Sequence, residues 1–127
     1  MDWQFTRHYT REEARTLLPK VRQWLEHLQR KRRQVEKIDD QISQLLASGN
    51  DIGGSLVNQQ VKILAEMKGV LNEFSTREIQ IKDLDRGLID FPAFIGGKEV
   101  FLCWEQDEED IEYWHDLESG YAGREKL

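Results

Sequence analysis

The stretch GLIDFPAFIGGKEVFLCWE, residues 87–105, decides the fold, because it reads as two β-strands around the glycine pair Gly96-Gly97. Two adjacent glycines suit the two-residue loop of a β-hairpin. A turn centred on them predicts the cross-strand pairs Phe91–Leu102, Ile89–Trp104 and Ala93–Val100. This face of the hairpin is wholly apolar, so we expect it to cover another part of the molecule.

The opposite face of the predicted hairpin is more polar and places Asp90 directly across from Cys103. The other residues on this face are Leu88, Pro92, Phe94, Phe101 and Glu105. Pro92 has no N–H to donate to a neighbouring strand, so it predicts an edge position or an unpaired site. The segment WQFTRHY, residues 3–9, alternates in the same way and is a candidate third strand.

Residues 10–76 have the longer period of helices. The segment YTREEA, residues 9–14, predicts a helix start, because Thr10 and Glu13 can form a capping box. Pro19 predicts a kink or a break near Leu18. Apolar residues then recur every seven positions in two rows, with Lys31 interrupting the second: Ala14, Val21, Leu28, Val35 and Ile42, and Leu17, Trp24, Ile38 and Leu45.

A glycine-containing loop, ASGNDIGGS at residues 47–55, is predicted to end the first helix. A second helix should run from about Ser55 to about Thr76, with Val57, Leu64 and Leu71 in one row. Two such helices joined by a short loop fold back on each other. The predicted fold class is therefore α+β: a long antiparallel α-helical hairpin, coiled-coil-like, packed on a small antiparallel β-sheet with a C-terminal cap. We expect a single domain over residues 1–127, with the helical hairpin in 10–76 and the β-hairpin and cap in 77–127.

The segment DEEDIEYWHDLESG, residues 107–120, has two readings. Asp107 as N-cap, acidic residues in the first turn and Gly120 as a stop favour a short helix. The alternation of Ile111, Tyr113 and His115 is the extended alternative, and we expect the helix.

Two side chains of the C-terminal segment are assigned to the polar face of the hairpin. We expect Trp114 to cover that face. We expect Arg124 to pair with Asp90 or with the acidic cluster, because an unpaired buried charge is very costly.

Several short blocks of this chain resemble a known family. They are Asp90-Phe91-Pro92, Leu102-Cys103-Trp104, Trp114-His115 and Gly120 to Arg124, together with the helix start YTREEARTLLP at residues 9–19. These blocks are similar to those of an uncharacterised prokaryotic family, the domain of unknown function 2203, over nearly the whole chain. That family usually has Gly-Glu after the second block, where this chain has Asp107-Glu108. The resemblance implies membership and no activity, because the family has none assigned.

Composition excludes several classes of protein. The net charge of −6 disfavours attraction to nucleic acid or to an anionic membrane surface. No apolar run approaches the roughly 20 residues that a membrane span needs, and the first residues lack an apolar signal core. A single cysteine cannot form an internal disulfide. These observations predict a cytoplasmic protein that does not bind membranes.

Asp90, Cys103 and His115 are candidate ligands of a divalent metal ion, and Glu105, Glu108 or Glu109 could complete a set of four. The chain has no CxxC, HxxxH or HExxH spacing, so the signal is weak. The alternative is that Cys103 is a small packing residue and that His115 hydrogen-bonds a backbone carbonyl or Asp90. Catalysis by a Cys103–His115 pair needs a sulfur open to solvent, which a mid-strand position disfavours.

The basic segment from Arg30 to Lys37 is the candidate for nucleic-acid binding. Successive helical residues advance by about 100°, so these charges ring the helix instead of lining one face. No aromatic residue interleaves them, and the chain is acidic overall. Nucleic-acid binding is therefore a minor alternative.

The leading functional hypothesis is a non-enzymatic module that oligomerises or binds a partner, most simply as a twofold homodimer. It rests on the sustained heptads and on the absence of a recognisable catalytic spacing. Trp114, Glu108 and Arg124 are candidate contacts of a pocket or a partner. Metal binding through Asp90, Cys103 and His115 is the first alternative.

Overall fold

The computed structural model describes residues 2–127, in which two helices precede a five-stranded sheet. The elements are α1 Arg11–Ala47, α2 Gly54–Ser75, β1 Gln80–Asp83, β2 Leu88–Ile95, β3 Lys98–Glu105, β4 Tyr113–Asp116, a short 3₁₀ turn at Tyr121–Gly123, and β5 Glu125–Lys126. The strands pair antiparallel in the order in which they occur along the chain. The predicted α+β fold, a helical hairpin packed on a small antiparallel sheet, is confirmed.

The register of the β2–β3 hairpin is the one that the glycine pair predicts. Ile95 pairs with Lys98 across Gly96-Gly97, and Asp90 pairs with Cys103. Both glycines have positive φ, +58° and +78°, which a two-residue turn of this kind requires. On its other side β2 is unpaired with β1 beyond Asp90, so Pro92 lies at an edge position, as predicted.

The apolar face of the sheet packs on the first half of α1. The buried side of that half consists of Ala14, Leu18, Val21, Leu25 and Leu28. They form one core with the inner face of β2 and β3, which contributes Ile89, Phe91, Ala93, Val100, Leu102 and Trp104. The prediction that this face covers the helical hairpin is therefore confirmed.

The heptad pattern locates the buried side of α1 only in part. Leu18 and Leu25 are 4% and 0% exposed, although neither belongs to the two predicted rows. Of the second row, Leu17 and Trp24 are partly buried, and the Trp24 ring contacts Phe74 of α2 edge-on with centroids 5.4 Å apart. The first half of α1 therefore packs on two neighbours, which widens its apolar side.

Pro19 does not break α1, which is continuous from Arg11 to Ala47. The Pro19 side chain is exposed, so the carbonyl that loses its helical donor can turn toward water. Leu18 and Val21, on either side of the proline, are fixed in the core. The capping box of Thr10 and Glu13 is present, as predicted.

Beyond Leu28 few side chains of the helical hairpin are buried. Ile38 is the one buried residue of α1 in this part, and Phe74 is the one buried residue of α2. The two helices are tied by a salt bridge of 2.6 Å from Lys31 Nζ to Glu66 Oε2. Among the residues described, neither helix is long and apolar enough to cross a membrane.

The prediction of a short helix within residues 107–120 is wrong. Residues Tyr113–Asp116 form β4, whose register pairs Cys103 with Tyr113 and Phe101 with His115. A helix here would leave the backbone groups along the outer edge of β3 without partners, which is costly for a buried strand. The position of Trp114 is also corrected: it pairs with Leu102 and packs on the helix-facing core instead of covering the polar face.

The N-terminal segment is ordered but forms no third strand, which corrects another prediction. Two carboxylates bind its backbone instead. Glu99 accepts hydrogen bonds from the N–H groups of Gln4 and Phe5, and Glu78 accepts them from Thr6 and Arg7. The segment thereby packs Phe5 against Phe101 on the outer face of the sheet, with ring centroids 5.3 Å apart.

Candidate functional site

Three neighbouring strands bring three candidate ligands together on the sheet face that points away from α1. Asp90 comes from β2, Cys103 from β3 and His115 from β4. Their exposed fractions are 1%, 0% and 2%. The carboxylate, thiol and imidazole atoms that could bind a metal all lie within 4.8 Å of one another. The structure therefore groups the predicted site residues into one buried cluster, called here the Asp–Cys–His cluster.

The His115 ring is held at both nitrogens. Its Nδ1 lies 2.7 Å from the backbone carbonyl oxygen of Asp116, and its Nε2 lies 2.9 Å from Oδ2 of Asp90. A carbonyl oxygen only accepts, so Nδ1 carries a hydrogen and donates it. The ring is thus oriented with Nε2 toward the cluster.

The surroundings of His115 favour its protonated form. Burial is the largest single influence and disfavours the charge, but the hydrogen bond to Asp90, the contacts with Cys103 and the Asp116 carbonyl, and the charge of Asp90 outweigh it in sum. Together these raise the pKa of His115 to about 10. The His115–Asp90 pair is therefore an ion pair inside the sheet at neutral pH, unless a metal ion replaces the proton.

One oxygen of the cluster is without a protein partner. Asp90 Oδ1 is buried and accepts no hydrogen bond from any group within residues 2–127. Buried carboxylate oxygens normally have a partner, because leaving one unpaired costs free energy. The lone pairs of Oδ1 are thus free to bind a cation or a donor at this position.

Arg124 lies over the cluster and pairs with Glu108, one of the two kinds of partner that the sequence predicts. Its two terminal nitrogens lie 3.0 and 2.9 Å from the Glu108 oxygens, and one of them is 4.0 Å from Cys103 Sγ. The guanidinium also lies between two rings, 3.9 Å from the centroid of Tyr113 and 4.2 Å from that of Tyr121. Burial lowers the pKa of Arg124, but Glu108 raises it by more, so the group stays charged.

The acidic residues predicted to complete a set of four ligands are engaged elsewhere or lie outside the cluster. Glu108 binds Arg124 and also accepts the N–H of Glu105 at 2.7 Å. Glu105 binds Arg86 at 3.0 Å, and Glu109 is exposed. The two tyrosines around Arg124 did not emerge from the sequence, because the position of Tyr113 beside Cys103 follows only from the strand pairing of β4.

A second candidate surface lies on α2. Val57, Val61, Leu64 and Leu71 are 42%, 60%, 48% and 41% exposed. At about 100° per residue these four side chains fall within an arc of about 80° on one side of the helix. This line of side chains is called here the α2 stripe. Leu46, at the end of α1, is a further exposed leucine, at 60%.

Two basic residues of the segment from Arg30 to Lys37 pair with acidic neighbours. Lys31 pairs with Glu66, and Arg32 lies 3.2 Å from Glu36 and 3.5 Å from Asp85. The cavity of about 320 Å³ beside this segment is lined by charges of both signs: Arg32, Arg33, Glu36 and Asp85, with Gln29 and Gln106. Such a surface is poorly suited to a phosphate backbone.

No curated protein and no solved structure matches the chain. A family model does match it, over residues 7–127, a span that includes the capped start of α1, the Asp–Cys–His cluster and the Arg124 that covers it. Because the match spans nearly the whole sequence, the chain belongs to the family described as "Uncharacterized conserved protein (DUF2203)".

Proposed function

We propose that this protein is a non-enzymatic module that self-associates through the α2 stripe as a twofold homodimer. The observation that carries the proposal is the exposure of four large apolar side chains in one line on a well-formed helix. Scattered exposed apolar residues are ordinary, but a contiguous line of them is typical of an interaction site. From Val57 to Leu71 the line spans 14 residue steps, or about 21 Å at 1.5 Å per residue.

The apolar side of α2 is wider than α1 alone can cover. Its partly buried members Ile63, Met67 and Val70 lie on one side of the helix, and the stripe continues the apolar surface around it. The helix has only four charged residues among 22: Lys62, Glu66, Lys68 and Glu73. Its composition therefore suits a helix with neighbours on two sides, and the chain supplies one of them.

A second copy fits this surface because the stripe is symmetric about Leu64. Val57 and Leu71 are each seven residues from it. If two α2 helices cross antiparallel at Leu64, Val57 of each copy meets Leu71 of the other, as an isologous interface requires. The arrangement then becomes a four-helix bundle built from two hairpins.

Sedimentation equilibrium on the untagged protein at micromolar concentration tests the proposal. We expect a dimer, and we expect Leu64→Glu to make it monomeric because a carboxylate would be buried in the interface. The matched control is Gln59→Glu, which adds the same charge at an exposed position on another side of α2.

A wild-type protein that is a clean monomer contradicts the proposal. A dimer that survives Leu64→Glu contradicts the assignment of the interface to α2.

The cytoplasmic location is part of the proposal, because the one cysteine and the absence of disulfides suit a reducing compartment.

A further inference from the structure

We infer that Asp90, Cys103 and His115 bind one divalent transition-metal ion with the chemistry of Zn²⁺. The site shares no residue with the α2 stripe, so the two proposals are tested separately. One thiolate, one imidazole nitrogen and one carboxylate oxygen are all preferred ligand types of Zn²⁺. A set of three protein ligands leaves the fourth tetrahedral position for water.

The spacing of the three side chains is close to what such an ion needs. Bonds of about 2.0–2.3 Å in a tetrahedron put neighbouring ligand atoms about 3.4–3.6 Å apart. The ligand atoms of the cluster lie within 4.8 Å of one another, on three adjacent strands whose register holds their backbones fixed. Side-chain rotations that shift each ligand atom by about an ångström would therefore complete the three bonds.

The hydrogen bonds around the cluster are arranged as they are around metal ligands. A metal-bound histidine usually donates its other N–H to a carbonyl or carboxylate, which fixes the ring. His115 does so through Nδ1 to the Asp116 carbonyl, and this leaves Nε2 as the ligating atom. The unpartnered Asp90 Oδ1 supplies the lone pair that the buried protein groups leave unused.

The charges also balance. A Zn²⁺ ion with one thiolate, one carboxylate and a neutral imidazole is neutral as a unit, which a buried position favours. Above it, the charge of Arg124 is compensated by Glu108, and a guanidinium nitrogen lies 4.0 Å from the Cys103 sulfur. Arg124 would therefore act as a positioning residue outside the ligand set.

The route to the site passes through the C-terminal segment. Arg124 covers the cluster and hydrogen-bonds the Tyr121 hydroxyl, and the strand that follows, β5, is only two residues long. Short, weakly paired edges open locally at low free-energy cost. We expect metal uptake and release to be slow, because they require this segment to open.

Co²⁺ is the probe that tests this site most directly, because a thiolate ligand gives it an intense charge-transfer absorption. Cys103 is the one cysteine of the chain, so such a band in the wild-type protein identifies the sulfur without any variant. The experiment uses untagged full-length protein, stripped with a chelator and kept in buffer without thiols. We expect the band to saturate at one Co²⁺ per chain and Zn²⁺ to displace it at the same stoichiometry.

Variants then test the other two ligands. Asp90→Asn and His115→Gln should each weaken Co²⁺ binding at least tenfold, and Cys103→Ser should abolish the charge-transfer band. Glu109→Gln, an exposed acid in the same segment, is the control that should bind as the wild type does. Circular dichroism before the titration shows which variants are folded, and the wild-type spectrum decides the proposal if none is. Failure to bind one Co²⁺ per chain, or binding without the thiolate band, would overturn it.

Discussion

The two ends of the helical hairpin carry the same apolar repeat but differ in how far its residues are buried. At the base, defined here as the sheet with residues 11–28 of α1, every position of the repeat row from Ala14 to Leu28 is buried. At the tip, defined as residues 29–73, the row continues through Val35 and Ile42, and both are only partly buried. The repeat states which side of a helix is apolar, whereas a second layer decides whether that side is covered.

The polar groups differ between the two regions in the same way. At the base the His115–Asp90 pair is 2% and 1% exposed, whereas at the tip the Arg32–Glu36 pair is 44% and 61% exposed. The His115–Asp90 interaction is therefore desolvated, whereas the Arg32–Glu36 interaction is screened by water. If this comparison is right, matched substitutions in the two regions should have very different effects.

The largest difference is expected for the two ion pairs. His115→Ala leaves the Asp90 carboxylate buried without its partner, which should lower the free energy of unfolding by about 3–5 kcal/mol. Glu36→Ala removes an exposed pair at i,i+4 spacing and should cost about 0.5 kcal/mol or less. Urea unfolding of the metal-free proteins measures both values. Equal losses would mean that the Asp–Cys–His cluster is hydrated and that the comparison fails.

The next difference concerns two leucines of the same helix. Leu25 is 0% exposed at the base and Leu46 is 60% exposed at the tip. Leu25→Ala should cost about 2–5 kcal/mol, because it removes buried atoms and leaves a cavity. Leu46→Ala should stay within about 0.5 kcal/mol. A loss above about 1.5 kcal/mol for Leu46→Ala would show that the tip is covered in solution, and that outcome would point to the second copy.

The sequence predicts the β2–β3 hairpin down to its register, because two glycines and a two-faced pattern leave few alternatives. That register predicts that Asp90 and Cys103 are neighbours. His115 was added to the candidate site because imidazole is a common metal ligand. The position of β4 could not be predicted in the same way. The helix signals around Asp107 and Gly120 are local, whereas the open edge of β3 that they compete with is formed elsewhere in the chain.

The same limit applies to the N-terminal segment and to α1. Residues 3–9 alternate like a strand. In the structure, however, N–H groups of this segment donate to the carboxylates of Glu78 and Glu99 and not to a neighbouring strand. Nothing in the spacing of the chain indicates these partners, which are about 70 and 95 residues away. Leu25 was missed for a related reason, since a heptad describes one narrow seam and the sheet covers a broader side of the helix.

A smaller effect is expected where Glu99 holds the N-terminal segment at the base. Burial raises the pKa of this carboxyl, but the hydrogen bonds from His8, Gln4 and Phe5 lower it by more, so its net pKa lies below the ordinary value. Glu99→Gln should cost about 1.5–3 kcal/mol at pH 7, the usual worth of hydrogen bonds to a charged group.

The pH dependence of that loss has a definite sign. A carboxyl with a lowered pKa in the folded state stabilises the protein fully above its unfolded pKa of about 4.3. The contribution is lost as the pH falls through the lower pKa of the folded state. The difference in the free energy of unfolding between wild type and Glu99→Gln should therefore shrink below about pH 4.3, which urea unfolding at several pH values measures. If the difference in the free energy of unfolding stayed constant down to pH 3, the proposed role of the Glu99 carboxylate in holding the N-terminal segment would be contradicted.

The smallest expected effect on the free energy of unfolding comes from replacing a glycine with alanine, and its sign should differ between the two regions. At the tip, a Cβ added to Gly69 meets nothing within 4 Å, and the residue lies inside α2. Gly69→Ala should therefore raise the free energy of unfolding by up to about 1 kcal/mol through helix propensity. At the base, Gly87 has φ +65°, and its added Cβ would collide with the Gln106 side chain that hydrogen-bonds Gln29 of α1.

Gly87→Ala should consequently lower the free energy of unfolding by at least about 1 kcal/mol, the cost of a left-handed conformation for a residue with a Cβ. Thermal unfolding of the two variants beside the wild type measures both signs in one experiment. A stabilising Gly87→Ala would mean that the turn before β2 relaxes freely, whereas a destabilising Gly69→Ala would mean that this side of α2 is already covered. The second result would move the interface of the proposed dimer around α2, away from Leu64.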